Sequence, residues 1–294
     1  MRRRIVHIFL LLLTAGPLSA LSQTQPKAGD RSLLWEISGK NLAQPSYLFG
    51  TYHYAGKQLL DSMPQVKTHF DRCKTVVGEL VIDGSLSTRM AFSMLLRGGT
   101  LKNLFTAKEY SLVDGYVREI SEMELEQMNT LKPAAVQMIL SGYISPSTVS
   151  DENPALDQFF QDQARKEGKK VIGLETAAEQ IDLLLNAPVE RQKFHLLYMV
   201  RNKIKLKGEL ARLYRLYRQQ DVQAIGRMMY AKGEFLDNEI DVLLVQRNRR
   251  WAEQLPPIMQ AQPAFIAVGA GHLGGPDGLI TMLRKKGYVL KPVW

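Results

Sequence analysis

The sequence predicts an α/β fold: a mixed, largely parallel central sheet with helical insertions. Three observations predict it. Short apolar, strand-like runs alternate with longer stretches of helical character. Four of those runs lead within a few residues to a histidine or a glutamate, as strand exits do where an open sheet lines a site. The C-terminal segment reads as strand, glycine turn, helix, glycine stop and strand.

Composition sets the frame. The chain has 294 residues, 45% hydrophobic and 23% charged, enough to bury a sizeable core in one large or two small domains. Arg2, Arg3 and Arg4 precede an apolar run from Ile5 to Ala15, and Ala20-Leu21-Ser22 offers small residues for cleavage before Gln23. This pattern predicts a signal peptide over 1–22 and export to the periplasm or beyond. The apolar run is short for a membrane span, and later apolar stretches are interrupted by charge, so no stable transmembrane span is expected after cleavage. The formal net charge is +9, three of whose positive charges belong to that leader. Much of the remainder lies between Arg201 and Lys232 without interleaved stacking aromatics, which reads as a solvated helical face and not a nucleic-acid surface. Cys73 is the single cysteine, which excludes an internal disulfide and a multi-cysteine zinc site. It is expected to be buried just before a strand.

A polar linker over 23–31 leads into a domain predicted to occupy 32–294. Leu33–Ile37 alternates as a strand, Ser38–Asn41 is a turn, and Ser46–Phe49 makes the second arm of a hairpin that leaves through Gly50 towards His53. A helix starting near Met63-Pro64 leads to the buried strand Thr75–Leu80, with Glu79 near its C-terminal end. Helical insertions are expected at about 85–150 and 188–255. Their methionines (Met90, Met94, Met123, Met128 and Met138) are read as core filler. Between them, a helix opening at Asn153-Pro154 stops at Gly168, and Val171–Leu174 forms a strand ending at Glu175. Thr176 can cap the next helix. The second insertion is predicted to end at Pro256-Pro257. Phe265–Val268 is then a strand, Gly269–His272 its turn, Gly278–Lys286 a helix and Tyr288–Val293 the last strand.

If the four runs share a sheet and a direction, His53, Glu79, Glu175 and His272 converge at its carboxyl edge. Two imidazoles and two carboxylates suit a divalent cation, and three protein ligands would leave a position for water. Beyond the leader the chain has four histidines, and His53 and His272 occupy matching Gly-x-x-His exits, whereas His69 and His195 fall in helical patterns. Either exit histidine could instead be structural, and Glu175 could cap the helix that follows it. No His-Glu-x-x-His, P-loop or Gly-x-Ser-x-Gly sequence is present, which leaves serine or cysteine nucleophilic catalysis without support.

From Leu34 to Val293 the pieces form an ordered set. They are Leu-Trp-Glu-Ile, Pro-Ser-Tyr-Leu-Phe-Gly-Thr-Tyr-His53, Gly-Glu79-Leu, Leu156-Asp157, Gly173-Leu174-Glu175-Thr176, Arg247-Asn248 with Trp251, Val268-Gly-Ala-Gly-His272-Leu and Gly278-Leu-Ile. In this the sequence resembles the TraB/PrgY/GumN family, which includes the TIKI metalloproteases, and looks most like the GumN-like bacterial branch. The resemblance implies a fold related to the erythromycin esterase and ChaN-like group. It also implies essential paired Gly-x-x-His motifs with a strand-end glutamate, here His53, His272 and Glu79, as metal ligands and catalytic groups. The TIKI branch is similar to divalent-metal-dependent peptidases; other members are linked to pheromone shutdown or carry a name from an exopolysaccharide cluster. The family's Glu-Arg-Asn reads Gln246-Arg247-Asn248 here, so the acid is missing. Arg247 could hold a carboxylate of the protein or a substrate's terminal carboxylate.

The expectation is therefore an exported metal-dependent hydrolase acting on a peptide or protein. Manganese or cobalt is the expected ion, with zinc as the alternative. His53, His272 and Glu79 form the centre, and Arg247, Asn248, Asp157 and Glu175 act around it or on the substrate. Two other readings stay open: a non-catalytic protein that sequesters a peptide or assists envelope polysaccharide export, and an esterase-type hydrolase.

Overall fold

The structure, a computed structural model, describes residues 31–231 and 237–294. The leader, all of the linker except Arg31, and Lys232 lie outside the described residues. In chain order the sheet-forming part begins with β1 (Leu34–Ser38), β2 (Ser46–Thr51), α1 (Pro64–Arg72) and β3 (Thr75–Gly78). Then come α2 (Leu86–Ser93), α3 (Leu101–Leu104), α4 (Ala107–Ser121) and α5 (Pro133–Ile144). They are followed by α6 (Leu156–Lys166), β4 (Lys170–Gly173), α7 (Ala177–Leu185), α8 (Val189–Arg201), α9 (Lys203–Arg218) and α10 (Val222–Met229). A short helix, α11 (Asp237–Ile240), passes through a π-turn at Asp241–Val245 into α12 (Gln246–Ala261). The chain closes with β5 (Ala264–Gly269), α13 (Leu279–Lys285) and β6 (Val289–Val293).

The chain divides into two compact units. One is helical and comprises Ile82–Ser147 and Thr176–Ala211; the other holds the sheet and comprises the described residues up to Val81, Thr148–Glu175 and Arg212–Trp294. The helices expected over 188–255 divide between them, with the boundary falling inside α9. Along α9, Leu206, Leu210, Leu213 and Tyr217 are buried while Lys205, Lys207, Arg212, Arg215 and Arg218 are exposed, the pattern of a solvated basic face.

The six strands run in the order β4-β3-β5-β2-β1-β6. Pairings β4–β3, β3–β5 and β5–β2 are parallel; β1 pairs antiparallel with both β2 and β6. The α/β class and the β1–β2 hairpin are as the sequence indicates. The central strands β2 and β5 are buried along their whole length, so their sequences are continuously apolar or small and not alternating. Pro292 is accommodated because β6 is an edge strand. On α6, Leu156, Phe160 and Ala164 recur every four residues on the buried face. Phe160 packs against Phe49, Phe70 and Phe265 with ring centroids 5.5, 5.6 and 4.8 Å away. This aromatic cluster ties α6 to the sheet beneath the site.

Two local expectations are corrected. Glu79 and Glu175 each stand just outside their strands, which stop at Gly78 and Gly173, although Glu175 N–H still donates to Glu79 C=O at 2.8 Å. Pro256 and Pro257 do not end the helix; α12 continues to Ala261. The pyrrolidine ring fixes φ near the helical value, and the burial of Trp251, Ala252, Leu255 and Met259 on the same helix offsets the lost donors. Cys73 is fully buried at the end of α1, and burial pushes its thiol up to about 12, which makes it inert.

Candidate active site

The four parallel strands end on one edge of the sheet, and their exits carry the site. The loop after β2 is fastened to the start of α6: Leu156 N–H donates to Ala55 C=O at 3.1 Å, and Lys57 N–H to Pro154 C=O at 3.0 Å. That stitching brings His53 over the first turn of α6, where Asp157 stands. His53 Nδ1 lies 2.9 Å from Asp157 Oδ2, and Thr51 Oγ1 donates to Asp157 Oδ1 at 2.7 Å. The carboxylate thus has one oxygen on the imidazole and the other on the hydroxyl, which fixes its plane. Burial alone lowers the basicity of His53, but the charge and hydrogen bond of Asp157 outweigh it and leave the pKa raised.

The second half of the site is built around Arg247, the second residue of α12, just beyond the π-turn. Its Nε and Nη2 donate to Glu175 at 2.9–3.1 Å, and Nη2 also donates to Glu79 Oε2 at 2.7 Å. Its Nη1 reaches the Leu243 carbonyl at 3.0 Å and His272 Nε2 at 3.1 Å. The guanidinium carbon sits 4.7 Å from the Trp251 ring centre, and the same indole lies 4.4 Å from the His272 ring. Burial pushes the Glu79 carboxyl up; Arg247, the two histidines and the Gly269 N–H together outweigh that and hold it well below the usual range.

Asn248 fixes the other imidazole. Its Nδ2 donates to the carbonyls of His272 and Asp277, at 3.3 and 2.8 Å, so its Oδ1 is the acceptor facing His272 Nδ1 at 2.6 Å. His272 therefore carries its proton on Nδ1, and Nε2 holds the lone pair into which Arg247 donates. Burial and the adjacent guanidinium depress the His272 pKa to about 3. Although Glu79 Oε1 is 3.8 Å from His272 Nε2, the ring is neutral, so this is not an ion pair.

The two halves meet at Gly269, the last residue of β5, whose N–H donates to Glu79 Oε1 at 2.8 Å. A β-carbon placed there would lie 3.1 Å from Glu79 Oε1, 3.6 Å from His53 Nε2 and 3.7 Å from His272 Cδ2. The three side chains named from the strand exits thus converge on one point, where a side chain would crowd Glu79 Oε1. Two imidazoles, each with Nδ1 held by an oxygen, and an ionised carboxylate make a donor set that suits a divalent cation in kind. The obstacle is Arg247 Nη1 on the His272 lone pair. Among the described residues, no group of three or more His, Cys, Asp or Glu side chains is placed so that it could hold a metal ion.

The profile of the TraB/PrgY/gumN family matches residues 33–292, nearly all of the described chain. The chain belongs to this family. Similar curated proteins include a metalloprotease TIKI homolog of Amphimedon queenslandica, 24% identical with 98% of this chain and 68% of that protein aligned. Metalloprotease TIKI2 of Danio rerio is 22% identical over 87% of this chain and 60% of its own length. An uncharacterized protein of Treponema pallidum (strain Nichols) is 22% identical over 96% of this chain and 91% of its own. No solved structure matches. The relatives named as metalloproteases suggest metal-dependent hydrolysis at the level of the family.

All seven residues named from the sequence lie in this cluster. The alternatives left open for Glu175 and Arg247 resolve towards internal pairing: Thr176 caps α7, and Glu175 turns to Arg247 and Arg250. Gln246 is exposed and bonds Asp241, away from the cluster. Thr51 and Arg250 are additional members that the sequence reading does not name, whereas Gly269 is the glycine of the second Gly-x-x-His exit. Arg250 follows Arg247 at i+3, a helical spacing that places both on one face and would have revealed it. Thr51 carries no comparable local signal.

Proposed function

We propose that this chain is a metal-dependent hydrolase of peptide bonds, with His53, Glu79 and His272 as its reacting centre. The observation that carries this reading is the convergence of those three side chains on Gly269, with Asp157 and Asn248 each holding the Nδ1 of one histidine. Glu79 and the Nε2 atoms of His53 and His272 would hold the ion. A divalent cation so held would supply an acidified water and polarise a carbonyl. Asp157, itself oriented by Thr51, keeps the His53 ring aimed inward. Asn248 fixes the tautomer that leaves the His272 Nε2 lone pair facing the centre. Glu79, ionised and braced by Gly269 N–H, is the anionic member of that donor set. Arg247 is committed to Glu79 and Glu175, so it serves internal charge and not a substrate's terminus.

Export is part of the proposal and rests on the leader pattern; N-terminal sequencing of the secreted or periplasmic chain tests it. Among the described residues, no helix is long and apolar enough to cross a membrane. A second reading is favoured by the engagement of His272 with Arg247: a protein that holds a peptide without cutting it. The purified chain, incubated with a peptide library and manganese or cobalt, distinguishes them. Cleavage that chelation stops and His53→Ala abolishes supports the hydrolase. Cleavage that persists in His53→Ala contradicts it, and saturable peptide binding without products favours the holding protein.

A further inference from the structure

We infer that Arg247 is an internal cation that a divalent metal must displace from His272, so that this guanidinium sets the threshold for metal binding. The inference rests on the metal-dependent reading above. Asn248 donates through Nδ2 to two carbonyls, so His272 Nδ1 must carry the proton and Nε2 the lone pair. That lone pair is the one directed at the site, and Arg247 Nη1 donates into it at 3.1 Å. One imidazole lone pair cannot serve an N–H donor and a metal together. Arg247 also holds Glu79 Oε2, a second atom that an ion would compete for. A cation already occupies the electrostatic position of a cation.

The surroundings allow the exchange. Arg247 keeps bonds from Nε and Nη2 to Glu175 and from Nη1 to the Leu243 carbonyl, none of which involves a proposed ligand. The guanidinium can leave His272 and Glu79 while staying paired inside the protein, on the Trp251 face. The cluster contains three carboxylates (Glu79, Asp157 and Glu175) against Arg247, the half-exposed Arg250 and, when protonated, His53; with His53 neutral, as a metal ligand must be, one negative charge is left to accept added positive charge. Arg250 bonds the same Glu175 as Arg247 but, in the contacts described, does not touch His272. It is therefore a natural control for simple removal of charge.

The test is calorimetric titration of the full chain with Mn(II), Co(II) or Zn(II), each alone, for wild type, Arg247→Gln, Arg250→Gln and His53→Ala. Displacement requires Arg247→Gln to bind at least about tenfold more tightly than wild type, since a unit charge in ligand contact is removed, and Arg250→Gln to change affinity far less. Affinity in Arg247→Gln that is unchanged or weaker, or a gain equalled by Arg250→Gln, overturns the inference while leaving His53-dependent metal binding intact. Binding that is absent in wild type and Arg247→Gln alike, or unaffected by His53→Ala, overturns both the inference and the metal reading. If Arg247→Gln does not fold, nitrogen-15 spectra of the wild type decide. On zinc addition the His272 Nε2 signal must move and the Arg247 Nη–H signals must report a changed partner; Arg247 signals that stay unchanged while metal binds at His272 overturn the inference.

Discussion

His53 and His272 share a Gly-x-x-His motif yet are set to opposite chemical characters by their neighbours. Asp157 raises the basicity of His53, while burial and Arg247 suppress that of His272. In the metal-free protein, His53 is expected to titrate above its ordinary value of about 6.5, and His272 to stay neutral at pH 5. Nitrogen-detected NMR of the two rings checks both. The sign follows from linkage: the charged His53–Asp157 pair stabilises the fold fully below the unfolded pKa and loses that contribution as pH rises through the folded one. Asp157→Asn removes the main raising influence, leaving only that of Glu79, and should lower the His53 titration relative to wild type. Arg247 carries a larger structural load. Arg247→Ala leaves Glu79 and Glu175 buried together without the cation between them and should cost about 3–5 kcal/mol in urea unfolding.

The elements matter because loops, not strands, deliver the catalytic-type side chains. Helix α10 packs against the turn that follows His272 so closely that a β-carbon on Gly226 would lie 2.5 Å from the Gly274 carbonyl carbon. Gly226→Ala should therefore destabilise by about 1–3 kcal/mol or more and loosen His272, read as a lower urea midpoint. Much at this scale was legible. Val76-Val77, Val171-Ile172 and Phe265–Val268 are short, apolar and bounded by turns, so their strands could be read directly. The π-turn at Asp241–Val245 was not, because it depends on hydrogen-bond register and not on composition. The prolines of α12 were misread because local propensity counts the lost donors and not the buried face that keeps the helix intact.

At the scale of the whole molecule, the seven candidate residues belong to the sheet-containing unit and arrive from β2, β3, β4, α6, α12 and β5 or the turns after them. Parallel strands sharing one carboxyl edge explain why sequence could nominate His53, Glu79, Glu175 and His272 together. Who pairs with whom was not readable: Arg247 meets Glu175 across 72 residues and Glu79 across 168, separations that no local pattern spans. The central claim, that this convergence performs hydrolysis, is tested most directly by kcat/KM on one peptide cleaved by the metal-loaded wild type, compared with Glu79→Gln. The substitution preserves shape and removes the charge, and far-ultraviolet circular dichroism verifies that the fold is kept. The expected result is a loss of about 10²–10⁴-fold. A folded Glu79→Gln protein that cleaves the same peptide at the wild-type rate would contradict the account.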